Sequence, residues 1–218
     1  AMEIAQKRWD SIAKPLHSLG KLETLLIQIA GITGNAEVDL SRRGLIAMCA
    51  DNGVVEEGVT QTGQEVTAIV AENFLKYDTS VGVMCKQNHA EIFPVDMGMV
   101  TDTKVRTDHK IAYGTQNMTK GPAMTREQAV KGLEAGIDMV RELNDKGYRI
   151  LATGEMGIGN TTTSSAVASV LLKQPVEEMT GRGAGLTSEG LVRKINAIKK
   201  AIALNEPCLL YTSPSPRD

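Results

Sequence analysis

The sequence predicts an α/β fold: a doubly wound parallel sheet with flanking helices, plus a small helical subdomain at the N-terminus. Short apolar runs at 45–50 and 149–153 have the length and composition of buried parallel strands. Segments with helical periodicity, such as 125–147, separate the strand candidates, and this alternation is typical of helices that cover a parallel sheet. Two helical patterns precede the first strand. We therefore expect a helical subdomain over 1–33 and an α/β domain over 34–205.

Composition and charge exclude several classes of function. The net charge of −2, with two Phe and one Trp, leaves neither a basic face nor a stacking surface for nucleic acid. No apolar run reaches the length of a membrane span, and the polar N-terminus lacks the apolar core of a signal peptide. We therefore expect a cytoplasmic protein that binds neither nucleic acid nor membranes.

The cysteines and histidines give no sign of a metal site. Cys49, Cys85 and Cys208 are far apart and show none of the paired spacings of a zinc site or a disulfide framework. The three histidines are isolated from one another and from the cysteines. The sequence thus predicts reduced, partly buried thiols and no metal or other cofactor. A metal site assembled in space from the histidines is the less favoured alternative.

The N-terminal half contains helix and strand patterns in a clear order. Residues 3–13 and 18–32 carry apolar side chains at helical spacing, and Pro15 separates the two segments. The first strand is followed by a polar loop and by further helical segments. A second strand, over 90–100, contains Pro94, which favours an edge position in the sheet or an early end of the strand.

The C-terminal half continues the alternation. Thr125 has the position of an N-cap for a long helix. The strand over 149–153 leads into a glycine-rich loop and a helix that runs to Leu172. A second glycine cluster, 181–185, precedes a helix whose N-cap is Thr187 or the next residue.

The glycine-rich loop after the 149–153 strand has the pattern of an anion site. Gly154, Gly157 and Gly159 would let the backbone turn tightly, and Asn160 and Thr161 would cap the following helix. The first turn of a helix has free N–H groups and partial positive charge, which suit a phosphate. An ordinary tight connection between strand and helix is an equally open interpretation.

The same loop argues against an ATP site. Its glycine spacing matches a P-loop, but Asn160 occupies the position where a nucleoside-triphosphate binder needs lysine. We therefore expect a single phosphate, and a P-loop-like kinase is the disfavoured alternative. Glu155 would repel a phosphate unless it points elsewhere, so it could instead face a developing positive charge.

Other polar segments should lie on the same rim of the sheet, because ligands sit beyond the carboxyl ends of parallel strands. The loop after the first strand offers candidates for a second part of the site: Asp51, Asn52, Thr60, Thr62 and Gln64. Lys194, one helical turn from the second glycine cluster, could close over a phosphate held by the two glycine loops. For most of these residues a solvated surface position is the competing interpretation.

Several motifs together resemble one family. The stretches KPLHSLGKLE, ADNGVVEEGVTQTGQEVTAIV, GEMGIGNTTTSSAV and KINAIKKAIALN occur in the order found in nicotinate-nucleotide–dimethylbenzimidazole phosphoribosyltransferases, and the similarity spans about residues 9–205. The resemblance implies a doubly wound sheet with a small helical domain, a homodimer and no metal requirement. It also implies transfer of ribose 5-phosphate from nicotinate mononucleotide to 5,6-dimethylbenzimidazole, which forms α-ribazole 5′-phosphate and releases nicotinate in cobalamin biosynthesis.

The resemblance also assigns roles to residues, which we state as expectations. Glu155 would be a catalytic carboxylate, and Thr60 and Gln64 would border the base pocket. The phosphate would be held by six residues: Gly157, Gly159, Asn160, Thr161, Gly183 and Lys194. The donor has one phosphate and a cationic pyridinium leaving group, so a pocket lined by amides suffices and no magnesium ion is needed.

One departure from the family bears on activity. Family members continue well past the helix that ends near residue 205, and that continuation carries the glutamate regarded as the general base. Here residues 206–218 differ in composition from the rest, and we expect a disordered, non-native tail. The chain is therefore expected to be a fragment with weak or no turnover. A non-catalytic module that binds a nucleotide phosphate is the alternative.

Overall fold

A computed structural model describes residues 1–207, and its centre is a three-stranded parallel sheet of order β2-β1-β3. The strands are β1 (Arg43–Ala50), β2 (Ala90–Gly98) and β3 (Ile150–Met156). The helices are α1 (Met2–Ser11), α2 (Lys21–Thr33), α3 (Glu65–Lys76), α4 (Ser80–Gln87), α5 (Arg126–Asp145), α6 (Asn160–Leu172), α7 (Val176–Met179) and α8 (Ser188–Asn205). A short 3-10 helix, Gly53–Glu57, follows β1. Nearly all of the tail predicted over 206–218 lies outside the described residues.

Helices cover both faces of the sheet because β1 is apolar on both sides. Ala47 and Cys49 pack in one cluster with Phe74 and two alanines of α3. Ile46, on the opposite face, packs with Met139 and Leu143 of α5. Successive side chains of a strand point to opposite faces, so one central strand supports two cores. The predicted α/β fold with a parallel sheet is confirmed.

Pro94 lies within β2 and does not interrupt it. The residue pairs with Ala47, and β2 runs on to Gly98. Because β2 has only one neighbouring strand in the described sheet, and its outer side forms an isolated bridge at Arg106, the missing N–H of the proline can face away from β1. The predicted edge position is therefore confirmed.

The prediction for the third strand was partly wrong. β3 was expected to be a buried strand over 149–153, but it is the other edge of the described sheet and four of its seven residues are exposed, Ile150 to 37%. No strand of residues 1–207 pairs with its outer side. The strand also continues to Met156, and Gly154 pairs with Ala47. Gly154 therefore extends the ladder, and the prediction that it forms part of a turn was wrong.

The N-terminal helices α1 and α2 pack against each other, and a buried ion pair orders the connector between them. Lys14 lies 2.9 Å from the Glu23 carboxylate, which is 2% exposed and also accepts the Leu19 N–H at 3.1 Å. Whether 1–33 is a separate subdomain stays a prediction. Within residues 1–207, none of the helices has the length and apolarity needed to cross a bilayer.

Two of the three cysteines are buried free thiols, as expected. Cys49 and Cys85 form no disulfide, and Cys208 lies outside the described residues. Burial raises the pKa of the Cys49 thiol to about 12. Cys49 is therefore a core residue and not a reactive thiol.

The core between α5 and the sheet can be tested by two substitutions in the same helix. Leu143 is fully buried, so Leu143→Ala should lower the free energy of unfolding by about 2–5 kcal/mol. Glu134 is exposed on the same helix, and Glu134→Ala should change it by less than about 0.5 kcal/mol. Urea denaturation measures both. Equal effects of the two substitutions would contradict the packing of α5.

Candidate functional site

The connection from β3 to α6 lies against the end of β1. Gly157 is so close to β1 that an added Cβ would sit 2.1 Å from the Ala50 carbonyl oxygen. Gly159, with φ of 91°, is the N-cap of α6. Asn160 is therefore the first residue of the helix, and its predicted role as a cap was wrong. The two glycines let this loop bend directly over the end of the neighbouring strand.

Hydrogen bonds join this loop to the segment after β1. Asn52 donates through Nδ2 to the Ile158 carbonyl at 3.1 Å, and its Oδ1 accepts from the Thr163 hydroxyl at 3.5 Å. The Thr67 hydroxyl of α3 accepts the Ile158 N–H at 3.0 Å. The two polar segments expected on one rim of the sheet are thus in direct contact.

A cavity of about 160 Å³ lies between the two glycine segments. Its lining comes from three parts of the chain: Val59, Thr60, Gln61 and Thr62; Ile158, Gly159, Asn160 and Thr161; and Arg182, Gly183, Ala184, Leu186 and Lys194. Pockets for drug-sized ligands measure roughly 300–1,000 Å³. This cavity therefore suits a phosphate-sized group better than a complete nucleotide.

Lys194 supplies a buried positive charge to this cavity. The side chain comes from α8, and the residue is only 1% exposed. Its Nζ donates to the Thr161 hydroxyl at 2.7 Å and to the Gly181 carbonyl at 3.0 Å. Burial lowers the pKa of Lys194, and no carboxylate of the described chain offsets that effect. An ammonium group has three donors, so one remains for a ligand.

Arg182 is a second cation at the cavity, and its role was missed in the sequence. Its guanidinium donates to the Leu186 carbonyl at 2.8 Å and to the Ser188 hydroxyl at 3.2 Å. Since neither partner is charged and no acidic residue lines the cavity, the lining is net positive. The only signal in the sequence was its position inside the second glycine cluster.

Two residues at the start of α6, Gly159 and Thr161, line the cavity and have backbone donors that are free within residues 1–207. In the part of the chain that the structure describes, the N–H groups of Gly159 and Thr161 donate to no protein acceptor. The free N–H groups and the helix dipole add partial positive charge at this end of α6. Together with Lys194 and Arg182, they give the cavity a lining whose charge would suit an anion.

Gly183 approaches this region closely as well. Its φ is 55°, and an added Cβ would lie 2.9 Å from the Thr161 hydroxyl oxygen and 3.6 Å from Lys194 Nζ. A side chain at 183 would therefore crowd the ammonium group and the first turn of α6.

The predicted catalytic carboxylate lies beside the cavity. Glu155 is an exposed residue near the end of β3, and its carboxylate accepts a hydrogen bond from the Asn160 side-chain amide. Glu155 does not line the cavity, whereas Asn160 does. Asn160 therefore links the carboxylate to the edge of the cavity.

The two residues predicted for the base pocket have different positions. Thr60 lines the cavity, and its hydroxyl donates to the Thr62 carbonyl at 2.8 Å. Gln64 lies outside the lining and donates through Nε2 to the Asn52 carbonyl at 3.1 Å. Asp51 is completely buried beneath the loop.

The cavity between the two glycine segments is singled out as a candidate site by its chemistry and not by its size. A larger, open cavity of about 680 Å³ lies between the N-terminal helices and residues 35–39. Its lining contains no glycine, and it combines the positive charge of Arg8 with the negative charges of Glu37 and Asp39.

In residues 1–207, no group of three or more His, Cys, Asp or Glu side chains is placed to hold a metal ion.

Comparison with known proteins identifies the family. A family model described as a phosphoribosyltransferase matches residues 1–215. The chain belongs to this family. The family resemblance inferred from the four motifs is thereby confirmed.

Relatives of this phosphoribosyltransferase family are similar over nearly the whole chain. The nicotinate-nucleotide–dimethylbenzimidazole phosphoribosyltransferase of Ruminiclostridium cellulolyticum is 51% identical over 208 residues, which are 94% of this chain and 59% of the relative. The enzyme of the same name from Clostridium tetani is 47% identical over 94% of this chain and 58% of its own length. The chain thus spans about three fifths of the curated relatives that it matches.

Solved structures of the family agree with the fold. The crystal structure of CobT from Thermus thermophilus superposes with a TM-score of 0.83 at 36% identity. The match covers 93% of this chain and 62% of that structure. The arrangement of helices around the parallel sheet is therefore that of the family.

The close approach of Gly157 to β1 can be tested with an alanine. Gly157→Ala should lower the free energy of unfolding by about 1–3 kcal/mol or more, because its Cβ would overlap the Ala50 carbonyl. Gly136→Ala is the matched control: it lies within α5 with open space around it, and it should stabilise the protein by roughly 0.5–1 kcal/mol. Thermal and urea unfolding measure both. An unchanged free energy of unfolding for Gly157→Ala would disprove the close approach of Gly157 to the Ala50 carbonyl.

Proposed function

We propose that this chain carries the ribose-phosphate site of an enzyme that transfers ribose 5-phosphate from nicotinate mononucleotide to 5,6-dimethylbenzimidazole. The products would be α-ribazole 5′-phosphate and nicotinate, within cobalamin biosynthesis. The observation that carries the proposal is the buried Lys194 ammonium, whose partners among residues 1–207 are all neutral and which lines a cavity between two glycine segments. The names of the relatives support the choice of substrates.

The phosphate of the donor fits the chemistry of this cavity. Lys194 would supply a charge-assisted hydrogen bond, and the N–H groups of Gly159 and Thr161 would donate to the other phosphate oxygens. Asn160 and Gly183 keep the cavity open beside these donors. Such a site neutralises one phosphate without magnesium, which agrees with a donor that carries no pyrophosphate.

The transfer step requires charge stabilisation near C1′ of the ribose. The bond from C1′ to the pyridinium nitrogen breaks, its electron pair returns to the ring, and nicotinate leaves as a neutral pyridine. The unprotonated ring nitrogen of the benzimidazole attacks C1′ from the opposite face, and the proton on its other ring nitrogen passes to a base. Glu155, held by Asn160 at the edge of the cavity, is our candidate to stabilise the positive charge on the ribose.

The base pocket would lie beside the 59–64 segment. Thr60 lines the cavity, and Gln64 is fixed by its bond to the Asn52 carbonyl. We propose that these two residues border the incoming dimethylbenzimidazole. Gln64 contributes to the edge of the pocket rather than to the phosphate cavity.

The length of the chain bears on its activity. About two fifths of the length of its relatives has no counterpart here, and the general base is expected in that part of them. We therefore propose that this chain binds the ribose phosphate but turns it over weakly or not at all. The second candidate function is a non-catalytic phosphate-binding module, which the intact cavity also supports.

We further propose a cytoplasmic homodimer. The resemblance implies the dimer, and α5 exposes an apolar stripe at helical spacing that a second subunit could cover: Val130, Leu133, Ile137 and Val140. The division into a helical subdomain over 1–33 and an α/β domain over 34–205 belongs to the same proposal.

Calorimetry with ribose 5-phosphate tests the role of Lys194. Lys194→Met keeps the length of the buried side chain but removes its charge, and it should weaken binding by about 10- to 100-fold. Lys199→Met changes an exposed lysine of the same helix, and it should leave the affinity within about twofold.

Mass detection of α-ribazole 5′-phosphate, after incubation with nicotinate mononucleotide and dimethylbenzimidazole, tests turnover in the same preparation. Binding of ribose 5-phosphate together with little α-ribazole 5′-phosphate would support the proposal that this chain binds the ribose phosphate but turns it over weakly. Equal affinities of the two lysine variants would contradict the phosphate site.

A further inference from the structure

We propose that Asp51, acting through Thr67, is a positioning residue that holds the phosphate loop in its binding conformation. The loop is residues 157–161, and both positioning side chains lie outside the cavity. This inference rests on the proposed function, because the loop is the one assigned to the ribose phosphate. Asp51 and Thr67 are each completely buried.

Asp51 occupies the end of the central strand and is fixed on two sides. Its N–H donates to the Gly98 carbonyl at 2.9 Å, and its own carbonyl accepts the Thr115 N–H at 3.0 Å. The side-chain Oδ2 accepts the Val100 N–H at 2.8 Å. The carboxyl group therefore cannot rotate away from the sheet without losing the Val100 bond.

The other carboxylate oxygen of Asp51, Oδ1, is the atom through which this residue could act on the loop. It is buried and accepts no hydrogen bond from residues 1–207. Burial raises the pKa of Asp51, while the Thr67 hydroxyl and the Val100 N–H lower it, which indicates that the hydroxyl is near the carboxylate. The Thr67 hydroxyl is thus the side-chain donor available to this carboxylate.

Thr67 connects the carboxylate to the loop. Its hydroxyl oxygen accepts the Ile158 N–H at 3.0 Å, so its single hydrogen is free for another acceptor. Donation of this hydrogen to Asp51 completes a chain from the Ile158 N–H through the hydroxyl to the carboxylate. The negative charge at the end of this chain orients the hydroxyl with its lone pairs toward Ile158.

Ile158 needs such a restraint because it lies between Gly157 and Gly159. Glycines leave a backbone with many accessible conformations, which a binding loop must give up. The Ile158 N–H is held by Thr67, and its carbonyl accepts from Asn52 at 3.1 Å. Both peptide planes of Ile158 are therefore fixed immediately before the Gly159 and Thr161 donors.

An asparagine cannot replace Asp51 in this chain. If its oxygen faced the Val100 N–H, its NH₂ group would face Thr67 and leave the hydroxyl hydrogen without an acceptor. If the side chain were flipped, the NH₂ group would point at the Val100 N–H, and two donors would meet. Either orientation of Asn loses one buried hydrogen bond.

The test compares Thr67→Val, Thr67→Ser and Asp51→Asn with the unchanged chain. Two quantities are measured: the affinity for ribose 5-phosphate by calorimetry, and the hydrogen exchange of the Ile158 amide relative to Met48 in β1. Thr67→Val and Asp51→Asn should each weaken binding by about 10-fold and speed Ile158 exchange by a similar factor. Thr67→Ser retains the hydroxyl, so its affinity for ribose 5-phosphate and its Ile158 exchange rate should both match those of the unchanged chain.

A matched control separates positioning from general loss of stability. Thr119 is also buried, at 2% exposure, and its hydroxyl donates to the Glu57 carboxylate at 2.7 Å. Thr119→Val should lower the melting temperature without a selective change at Ile158 or in affinity. The double variant of Asp51→Asn and Thr67→Val should be no worse than Asp51→Asn alone, because both act on one chain of bonds.

The outcomes distinguish this inference from the proposed function. If Thr67→Val binds ribose 5-phosphate normally and Ile158 exchanges at the original relative rate, the positioning role is overturned. If the unchanged chain does not bind ribose 5-phosphate, the proposed function fails. In that case the relative exchange of Ile158 alone decides whether Asp51 and Thr67 hold the loop.

Discussion

A buried ammonium group, Lys194, with no carboxylate partner in the described part of the chain is the constraint on which this site depends. Removing a charge from water costs several kcal/mol, and Lys194 recovers only part of that from two neutral oxygens. Those two bonds join α8 to the first turn of α6 and to the second glycine cluster. An anion in the cavity would offset the remaining cost, so binding of a phosphate there would also stabilise the structure around this residue.

The sheet explains why the parts of the site meet. β1 is the central strand, and the chain leaves its carboxyl end into the segment that lines one wall of the cavity. β3 is the parallel neighbour of β1, so the loop after β3 emerges at the same rim. Gly157 then permits backbone contact at a distance that any side chain would prevent.

Much of this arrangement could be predicted from the sequence. The apolar run of β1, the Thr125 capping box and the helix after the glycine loop all follow from local chemistry that the fold preserves. The candidates Gly159, Thr161, Gly183 and Lys194 line one cavity, as the family motifs implied.

Other features depend on contacts that a single sequence does not reveal. The exposure of β3 depends on which strands flank it in the sheet. The spacing of apolar residues along one strand does not reveal its neighbours. The extension of β3 through Gly154 is set by pairing with β1, which overrides the tendency of glycine to turn. Arg182 and the burial of Lys194 could not be predicted because long cationic side chains on a surface helix or loop are usually solvated.

The most direct test of the central claim is a crystal structure of this chain with ribose 5-phosphate. The account predicts that the phosphate occupies the cavity between the two glycine segments, within hydrogen-bonding distance of Lys194 Nζ and of the Gly159 and Thr161 N–H groups. A phosphate bound elsewhere, with Lys194 still bonded only to Thr161 and Gly181, would contradict it.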